Sequence, residues 1–399
     1  MVGTLPGRTQ GLGLITEPLL ADLRLDRVSY ATLNFWATII GSAGAIGVGR
    51  LIDRYGGQTV LTAVAIALGI VVAAMSQVTA MAALAVCVTL TRGFGQSALS
   101  VVSLTLIGKS IRVQLDRAMA IYSVVMSIGF MIAFPAVGAL VQGRGWRVAW
   151  FVVGLAVLAL VAPAAGLLPK RLTASSGSTG SSGSRGSSGA GHDATLGAAL
   201  RTGAFWVFAI GAALYGLVAS GIGLFNESVL AERGFGPEVY YQTLVVTALT
   251  GLGGNFLGGW LAQRVRLTSL LATSLATLAA GLIALPHLTT ITHVMLWAVA
   301  MGLGGGFVMV LFFSVWGRVF GRRHLGRIQG SAQALTVVAS ALGPLLLAWC
   351  LQSTGSYTAM FHILAAAVGA VAVAALLVSL PEAPTVTYSS LSGEGDAAG

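Results

Sequence analysis

Two arginines lie inside stretches of the sequence that are otherwise apolar. Arg92 follows the apolar run 81–91, and Arg8 is followed by Thr9 and Gln10. An arginine stays charged, so within an apolar layer it needs a wet cavity, a counter-charge or carbonyl oxygens. We predict that a polar or anionic solute binds to Arg8, Thr9, Gln10, Arg92 and Gln96. Two structural roles are the alternatives: Arg92 could bond backbone carbonyls, and Arg8 could extend to an interface.

Two glutamates are candidates for coupling transport to protons. Glu17 and Glu227 each end an apolar stretch, and a carboxylate there could bind and release a proton. The alternative is that each lies at the water interface and only caps local structure. Both interpretations stay open at this point.

Three polar side chains in the second half of the chain are candidates for lining a solute pathway. They are Tyr215, Asn226 and Gln333. The sequence has no Walker loop, no HExxH run, no nucleophile elbow and no carboxylate pair at catalytic spacing. Cys87 and Cys350 lie in apolar runs without metal-ligand spacing. We therefore expect no enzyme, no cofactor and no metal site.

The composition indicates that lipid is much of the solvent of this protein. Hydrophobic residues make up 56% and charged residues 9% of the 399 residues, and the mean hydropathy is +0.88. Soluble domains carry about 25% charged residues, so this chain cannot cover a water-facing surface. Although the net charge is +10, the basic residues stand in short gaps between apolar runs. We therefore expect a lipid bilayer and a small solute as partners, and no nucleic acid.

The spacing of the apolar runs predicts an all-α polytopic membrane protein. A hydrocarbon layer of ~30 Å needs about 20 apolar helical residues. That rule predicts eleven spans and a weaker, shorter one over 1–20, which makes twelve. The eleven cover 29–49, 58–77, 81–108, 118–141, 148–168, 204–226, 239–262, 268–286, 292–317, 328–351 and 357–380.

A segment rich in Gly and Ser divides the chain into two six-helix bundles. The run 175–191 reads SSGSTGSSGSRGSSGAG, a composition typical of a flexible linker. The predicted organisation is an N-terminal bundle over 1–170, a linker over 171–201, a C-terminal bundle over 202–381 and a disordered tail over 382–399. We expect the protein to be a monomer.

Basic residues are distributed unequally between alternate loops. One set of loops holds fifteen Lys and Arg residues and the other holds five. Because cytoplasmic loops carry the excess of basic residues, the linker and both termini are predicted to be cytoplasmic. The expected location is a bacterial inner membrane.

The two halves repeat one another at a fixed offset of 210 residues. The run 11–17, GLGLITE, is echoed by 221–227, GIGLFNE, and 49–54 is echoed by 259–264. The two copies run parallel, and solute sites in such folds lie between them near the bilayer midplane. Because Met1 aligns with Gly211, we expect the first helix to lack one or two turns and to carry Arg8 at its middle.

The run 49–56, GRLIDRYG, resembles the loop signature Gly-x-Leu-x-Asp-Arg-x-Gly of the major facilitator superfamily. The second copy keeps Gly259, Leu261 and Arg264 but has Gln263 in place of the acid. Gly/Pro bends at 129–138 and 343–344 are also similar to that family. The overall layout resembles its monocarboxylate-type branch, whose members often carry an arginine in helix eight; none stands between 239 and 263.

The resemblance implies a fold of twelve helices in two pseudo-symmetric bundles, and a gate at the cytoplasmic loops. Asp53 would act as a latch that favours the outward-facing state, with the start of helix eleven near Arg327 as one partner and Lys109 or Arg112 as another. A static clamp of the loop is the alternative. The gating residues implied are Gly49, Asp53, Arg54, Gly56, Gly259, Arg264 and Arg327.

These observations together predict a secondary transporter that moves a small organic anion by alternating access. One alternative is an efflux pump for drugs or metabolites, although no buried acid is available for cationic cargo. The other alternative is a membrane sensor or scaffold that keeps the fold without transport.

Overall fold

The computed structural model describes residues 2–103, 106, 115–167, 194–321 and 324–380, and in these residues all regular structure is helical. The first half contains a 3₁₀ turn Val2–Gly7, then α1 Thr9–Leu23, α2 Arg27–Tyr55, α3 Gly57–Met75, α4 Met81–Thr91 with a π-helical continuation Arg92–Leu99, and α5 Leu115–Ala156. The second half contains α6 Gly203–Ala231, α7 Pro237–Leu261, α8 Leu267–Ala284, α9 Ile291–Val319, α10 Leu325–Thr354 and α11 Thr358–Leu377.

The helices have the lengths and composition of membrane spans, as predicted. Eight stretches of the described residues are long and apolar enough to cross a bilayer. One of them, Val124–Gly166, has 43 residues, about twice the length of a single crossing. Gly145 interrupts it with a φ of 82°, so α5 makes two crossings, one on each side of this residue. The polytopic all-α fold is confirmed.

Side chains at the loop boundaries stop and start these helices. Asp26 accepts hydrogen bonds from the hydroxyl of Ser29 at 2.5 Å and from the backbone N–H of Ser29 at 2.8 Å. Both bonds lower the pKa of its carboxyl, and the backbone one caps α2. Thr202 and Thr290 cap α6 and α9 in the same way. Pro237 occupies the first turn of α7, where its missing N–H leaves no helical bond unmade.

The prediction for the first span is wrong in one respect. Arg8 does not lie in the middle of a helix, because its backbone is extended (φ −83°, ψ 150°) and separates the 3₁₀ turn from α1. Gly11 and Leu5 meet at this break, since a Cβ on Gly11 would collide with the Leu5 carbonyl. The chain therefore folds back on itself here instead of continuing one straight helix.

Most of the predicted linker and tail lies outside the described residues, which exclude 168–193 and 381–399. The last residues before α6 are ordered against the second half. Leu196–Leu200 forms a short helix with Ala199 fully buried, and the Ala194 N–H donates to the Phe320 carbonyl at 3.0 Å.

The repeat extends to the starts of the helices. Four of them, α2, α3, α4 and α5, begin at Arg27, Gly57, Met81 and Leu115, and their counterparts begin 210 residues later at Pro237, Leu267, Ile291 and Leu325. The end of the bundle at which α1 ends and α2 begins is called here the glutamate end, because it contains Glu17 and Glu227. The opposite end is the linker end. In the predicted orientation the glutamate end faces outward.

An acid holds the last crossing of each half at the glutamate end. Asp22 accepts hydrogen bonds from the indole of Trp146 at 3.0 Å and from Arg147 at 2.8 Å. Its counterpart Glu232 accepts from the Ser356 hydroxyl at 2.6 Å, and residues 356 and 146 are again 210 apart. The repeated acid therefore has a repeated structural role.

The two halves pack against each other through pairs of helices related by the repeat. The helix α1 contacts α6, α2 contacts α10, and α5 contacts α7. Gly13 and its counterpart Gly223 meet directly, because a Cβ on Gly13 would overlap the Gly223 carbonyl oxygen. Gly138 gives similar room to the ring of Tyr241, 2.6 Å from its would-be Cβ. Glycine at these positions lets the halves close on one another.

We expect Arg24→Gly to stabilise the fold. Arg24 is the only non-glycine residue with positive φ (51°) among the described residues, and its counterpart Gly234 has φ 83°. Because a left-handed conformation is strained for a residue with a Cβ, the substitution should add about 0.5–1 kcal/mol to the free energy of unfolding. Denaturant unfolding in detergent measures this. Gly234→Ala should be destabilising, and a stabilising effect of Gly234→Ala would contradict this account of the turn.

We expect Gly13→Ala to separate the halves at the glutamate end. Spin labels at Gln142→Cys and Gln352→Cys, with Cys87→Ser and Cys350→Ala, would report the distance between the halves by electron paramagnetic resonance. Both glutamines are exposed and occupy equivalent helical positions, on α5 and α10, near the glutamate end. The added methyl should shift the distances to longer values. The matched control is Gly253→Ala, whose Cβ meets nothing within 4 Å; equal shifts in both variants would rule out a specific contact.

Candidate functional site

Arg92 is the centre of a buried polar cluster in the first half. Its side chain is 2% exposed. The Nη1 atom donates to Thr9 Oγ1 at 2.9 Å and to Gln96 Oε1 at 2.9 Å. The Nη2 atom donates to Asn34 Oδ1 at 2.9 Å. The arginine thus joins α1, α2 and the continuation of α4.

Local backbone features place the arginine at the meeting point of these helices. The regular α-helix gives way to a π-helical segment that begins at Arg92, and such segments occur frequently at functional sites. Gly41 on α2 would bring a Cβ within 2.9 Å of the Gly93 nitrogen, and Gly7 would bring one within 2.6 Å of the Gln96 nitrogen. Only glycines allow the backbones to approach this closely around the guanidinium.

No carboxylate compensates the charge of Arg92 among the described residues. Its three acceptors belong to Thr9, Asn34 and Gln96, all of them neutral. Its Nε is buried and has no partner there. A guanidinium has five N–H groups, and these contacts use three of them. Since Gln96 is exposed, the cluster reaches the accessible surface of the protein.

Arg8 precedes Thr9 of this cluster in the chain, but its own side chain contacts other residues. Its Nε donates to Thr4 Oγ1 at 2.9 Å, and its guanidinium lies 5.1 Å from the centre of the Phe130 ring on α5. The ring face attracts the cation. Arg8 therefore binds the wall formed by α5, while the following residue, Thr9, binds Arg92.

Thr9 and Gln10 also face the second half. The hydroxyls of Thr9 and Ser220 lie 3.5 Å apart. The side chain of Gln10 packs over Gly223, with its Cγ 3.4 Å from the position of a Cβ there. The Thr9 hydroxyl contacts both Arg92 and Ser220 of α6, so the polar cluster around Arg92 reaches the interface between the halves.

The three candidates in the second half do not gather around Arg92. Tyr215 places its hydroxyl against Gly305 of α9, inside its own half. Asn226 is 5% exposed and donates to Thr243 Oγ1 at 3.3 Å, near the glutamate end. Gln333 is exposed on α10. Their predicted role as solute ligands stays a prediction.

The two glutamates differ in their pairing. Glu17 Oε2 accepts from Arg27 Nη2 at 2.5 Å, an ion pair in which the two side chains are 24% and 35% exposed. Glu227 Oε2 is buried without a hydrogen-bond partner among the described residues. Nearby, burial raises the pKa of Tyr357, just before α11, to about 12, so its hydroxyl stays neutral and donates to Ser228 at 3.1 Å.

The predicted gate at the linker end is described only in part. Gly49 and Asp53 lie on the last turns of α2, but the side chain of Asp53 is outside the described part of the structure. Gly56 ends α2 with φ 82°, a conformation that favours glycine. Arg54 lies over Tyr55 and Arg264 over Trp260, at 5.3 and 3.9 Å from the ring centres. Gly259 has open space around it, and Arg327 is exposed on the first turn of α10.

Sequence reasoning missed Asn34, Ser220 and Arg27. Asn34 is 1% exposed, and it stands alone as an amide in the apolar run of α2, a signal that could have revealed it. Ser220 carries no such signal, because serine is common in membrane helices. Arg27 carries none either, because an arginine in a loop is normally interpreted by the positive-inside rule. Their partners become visible only when the helices are packed.

A cavity of about 580 Å³ lies elsewhere, in the groove between α2 and α4. Its lining is mainly apolar, includes Trp36 and Leu90, and does not include Arg92 or its partners. It is therefore separate from the polar cluster.

Comparisons with known proteins agree with this architecture. The family model of the Major Facilitator Superfamily matches residues 9–300 and 208–395. A solved bacterial homolog of the human lysosomal transporter Spinster, inward-facing and unoccupied, has 16% identity and a TM-score of 0.67, over 94% of this chain and 93% of that chain. Its occupied inward-facing form has 16% identity and a TM-score of 0.64, over 94% and 92%. No curated protein matches the chain in sequence.

The family match spans nearly the whole chain, and the structural likeness covers both halves. Together with the confirmed polytopic all-α fold, they identify the family of this chain. The chain therefore belongs to the Major Facilitator Superfamily, a family of membrane transporters rather than enzymes.

Proposed function

We propose that this protein is a secondary transporter that carries a small organic anion by alternating access, with Arg92 as its main anion-binding residue. The observation that carries the proposal is the burial of Arg92 among neutral oxygens only. A buried charge without a counter-charge is unfavourable. An anion that enters the cluster would supply the missing charge.

The chemistry of the cluster suits a carboxylate-sized anion. The guanidinium keeps donors to spare beyond its three bonds, and paired N–H groups match the geometry of a carboxylate or phosphate. Arg8 would add a second positive charge next to Thr9. A cationic substrate would instead meet repulsion from Arg92, which disfavours the drug-efflux alternative for cations.

The packing of the halves supports alternating access. The halves touch at Thr9 and Gly13, along the first turns of α1, and at Gly138 on α5. Thr9 is eight residues, about 12 Å of helix, from Glu17. In the predicted orientation this arrangement is closed to the outside. The Spinster homolog that the chain resembles was solved in inward-facing states with and without occupant.

We expect Arg92→Gln to reduce anion uptake into liposomes. Loss of charge-assisted hydrogen bonds of about 1.5–3 kcal/mol corresponds to a kcat/KM lower by about 10- to 100-fold. Arg266→Gln, at an exposed arginine, is the control and should leave uptake unchanged. Transport restricted to cations would overturn the substrate class, and a lack of any flux across a broad panel would favour the scaffold alternative.

Asn34→Asp separates a binding role from a structural role of Arg92. The substitution keeps the shape of the side chain and places a carboxylate 2.9 Å from Nη2, and it removes the hydrogen bond that the amide donates to the Tyr30 carbonyl. If Arg92 binds the solute, this internal counter-charge should abolish anion uptake while the thermal stability is kept or raised. If Arg92 is only structural, uptake should persist. The comparison therefore does not depend on a variant that fails to fold.

We also propose that Asp53 latches the linker end when that end is closed. The helix α2 packs against α10, whose first turn carries Arg327. A carboxylate at the end of α2 could accept hydrogen bonds from a helix start. Asp53→Asn should slow solute exchange across liposomes, because it weakens this contact. Gln263→Asn is the matched control at the equivalent position of the second half, and equal effects of the two substitutions would argue against a latch.

A further inference from the structure

The glutamate end holds two equivalent acids but only one matching base. Glu17 and Glu227 are repeat counterparts, and Glu17 pairs with Arg27 at 2.5 Å. The counterpart of Arg27 is Pro237, the first residue of α7. The second half therefore repeats the acid without repeating its arginine.

No base pairs with Glu227 among the described residues. Its Oε2 is buried and unpartnered, and Glu17 lies close enough to interact with it electrostatically. The buried hydroxyl of Tyr240 is unpartnered as well. The titratable or charged groups of this region lie on α1, at the starts of α2 and α11, on α7 and at the end of α6. They are Glu17, Arg27, Tyr357, Glu238, Tyr240, Tyr241 and the pair Glu232 and Arg233.

Two carboxylates that share one arginine cannot both stay charged at low cost when they are buried. A buried unpaired charge costs several kcal/mol, and a neighbouring like charge adds to that cost. A carboxylate in this position lowers the cost by binding a proton. Because Arg27 already compensates Glu17, the proton belongs on Glu227.

The location of the pair links this proton to the packing of the halves. Glu17 and Glu227 each stand four residues beyond Gly13 and Gly223, where α1 and α6 meet. Whatever separates the two carboxylates also separates the two halves at this end. When the end opens, water can solvate both carboxylates and Glu227 can release its proton.

We propose that Glu227 is a proton-operated latch of the glutamate end, neutral when the halves are packed there and negatively charged when they part. Closing takes up one proton from water, and opening returns it. A lower pH on that side therefore favours the packed state, and a higher pH favours separation. The latch rests on the proposed alternating access but not on the proposed substrate.

The test uses the full chain in lipid nanodiscs with the spin labels at Gln142→Cys and Gln352→Cys. As the pH rises from mildly acidic to mildly alkaline, the distances in the otherwise unchanged protein should shift to longer values. Glu227→Gln should keep the short distances at every pH, because its side chain cannot ionise. Glu238→Gln, at an exposed acid of the same region, should keep the original pH response.

A second variant supplies the missing base. Pro237→Arg places an arginine at the position equivalent to Arg27, and an ionised Glu227 could then stay buried as Glu17 does. This variant should also keep short distances when the pH rises. It tests the latch even if Glu227→Gln does not fold.

Three outcomes would overturn the latch: distances that do not respond to pH in the otherwise unchanged protein, a full response in Glu227→Gln, or a full response in Pro237→Arg. The proposed substrate fails separately. If anions are not taken up while the distances follow pH as expected, the result supports the latch and contradicts the proposed anionic substrate.

Discussion

Hydrocarbon cannot solvate a charged side chain, and the structure depends on how the few charges within the bundle are accommodated. Arg92 is surrounded by hydroxyl and amide oxygens from three helices, which reduce the cost of its burial without cancelling its charge. The charge of Glu17 is instead compensated by an ion pair with Arg27. Glu227 Oε2 has neither a hydrogen-bond partner nor a paired base among the described residues. The uncompensated charge of Arg92 and the unpaired carboxyl of Glu227 are the groups on which the proposed solute binding and the proposed proton latch rest.

The duplicated architecture supplies the frame, and the differences between the copies supply the chemistry. Helix starts, the turns at Gly145 and Gly355, and the acid clamps at Asp22 and Glu232 recur at an offset of 210 residues. The charged positions on which the proposals rest do not recur. The counterpart of Arg92 is Gly302, that of Arg27 is Pro237, and that of Asp53 is Gln263. In the proposed alternating access, these unequal charges give each half a different task.

The spans and the repeat could be predicted because both follow from local constraints. A crossing requires a long apolar run, and a duplicated unit retains its turns, so the clear spans correspond to helices in the described part of the chain. Arg8 could not be placed in this way. Its extended backbone follows from the fold-back of the 3₁₀ turn onto α1, where Gly11 allows the Leu5 carbonyl to approach. Tyr215 and Gln333 are polar residues on helices predicted to line the pathway. A position along a helix does not determine which neighbouring helix the side chain contacts.

The sequence by itself determined that the chain spans a membrane, that it consists of two repeats, and that charged residues such as Arg92 and Glu227 require partners. These conclusions depend on composition and spacing, which act along a single helix. Only the tertiary structure decided which partners they receive: Asn34 and Thr9 for Arg92, Arg27 for Glu17, and none among the described residues for Glu227 Oε2. The physical reason is that these contacts join residues up to 83 positions apart in the chain, and their distances are set by how closely glycine-bearing helices pack.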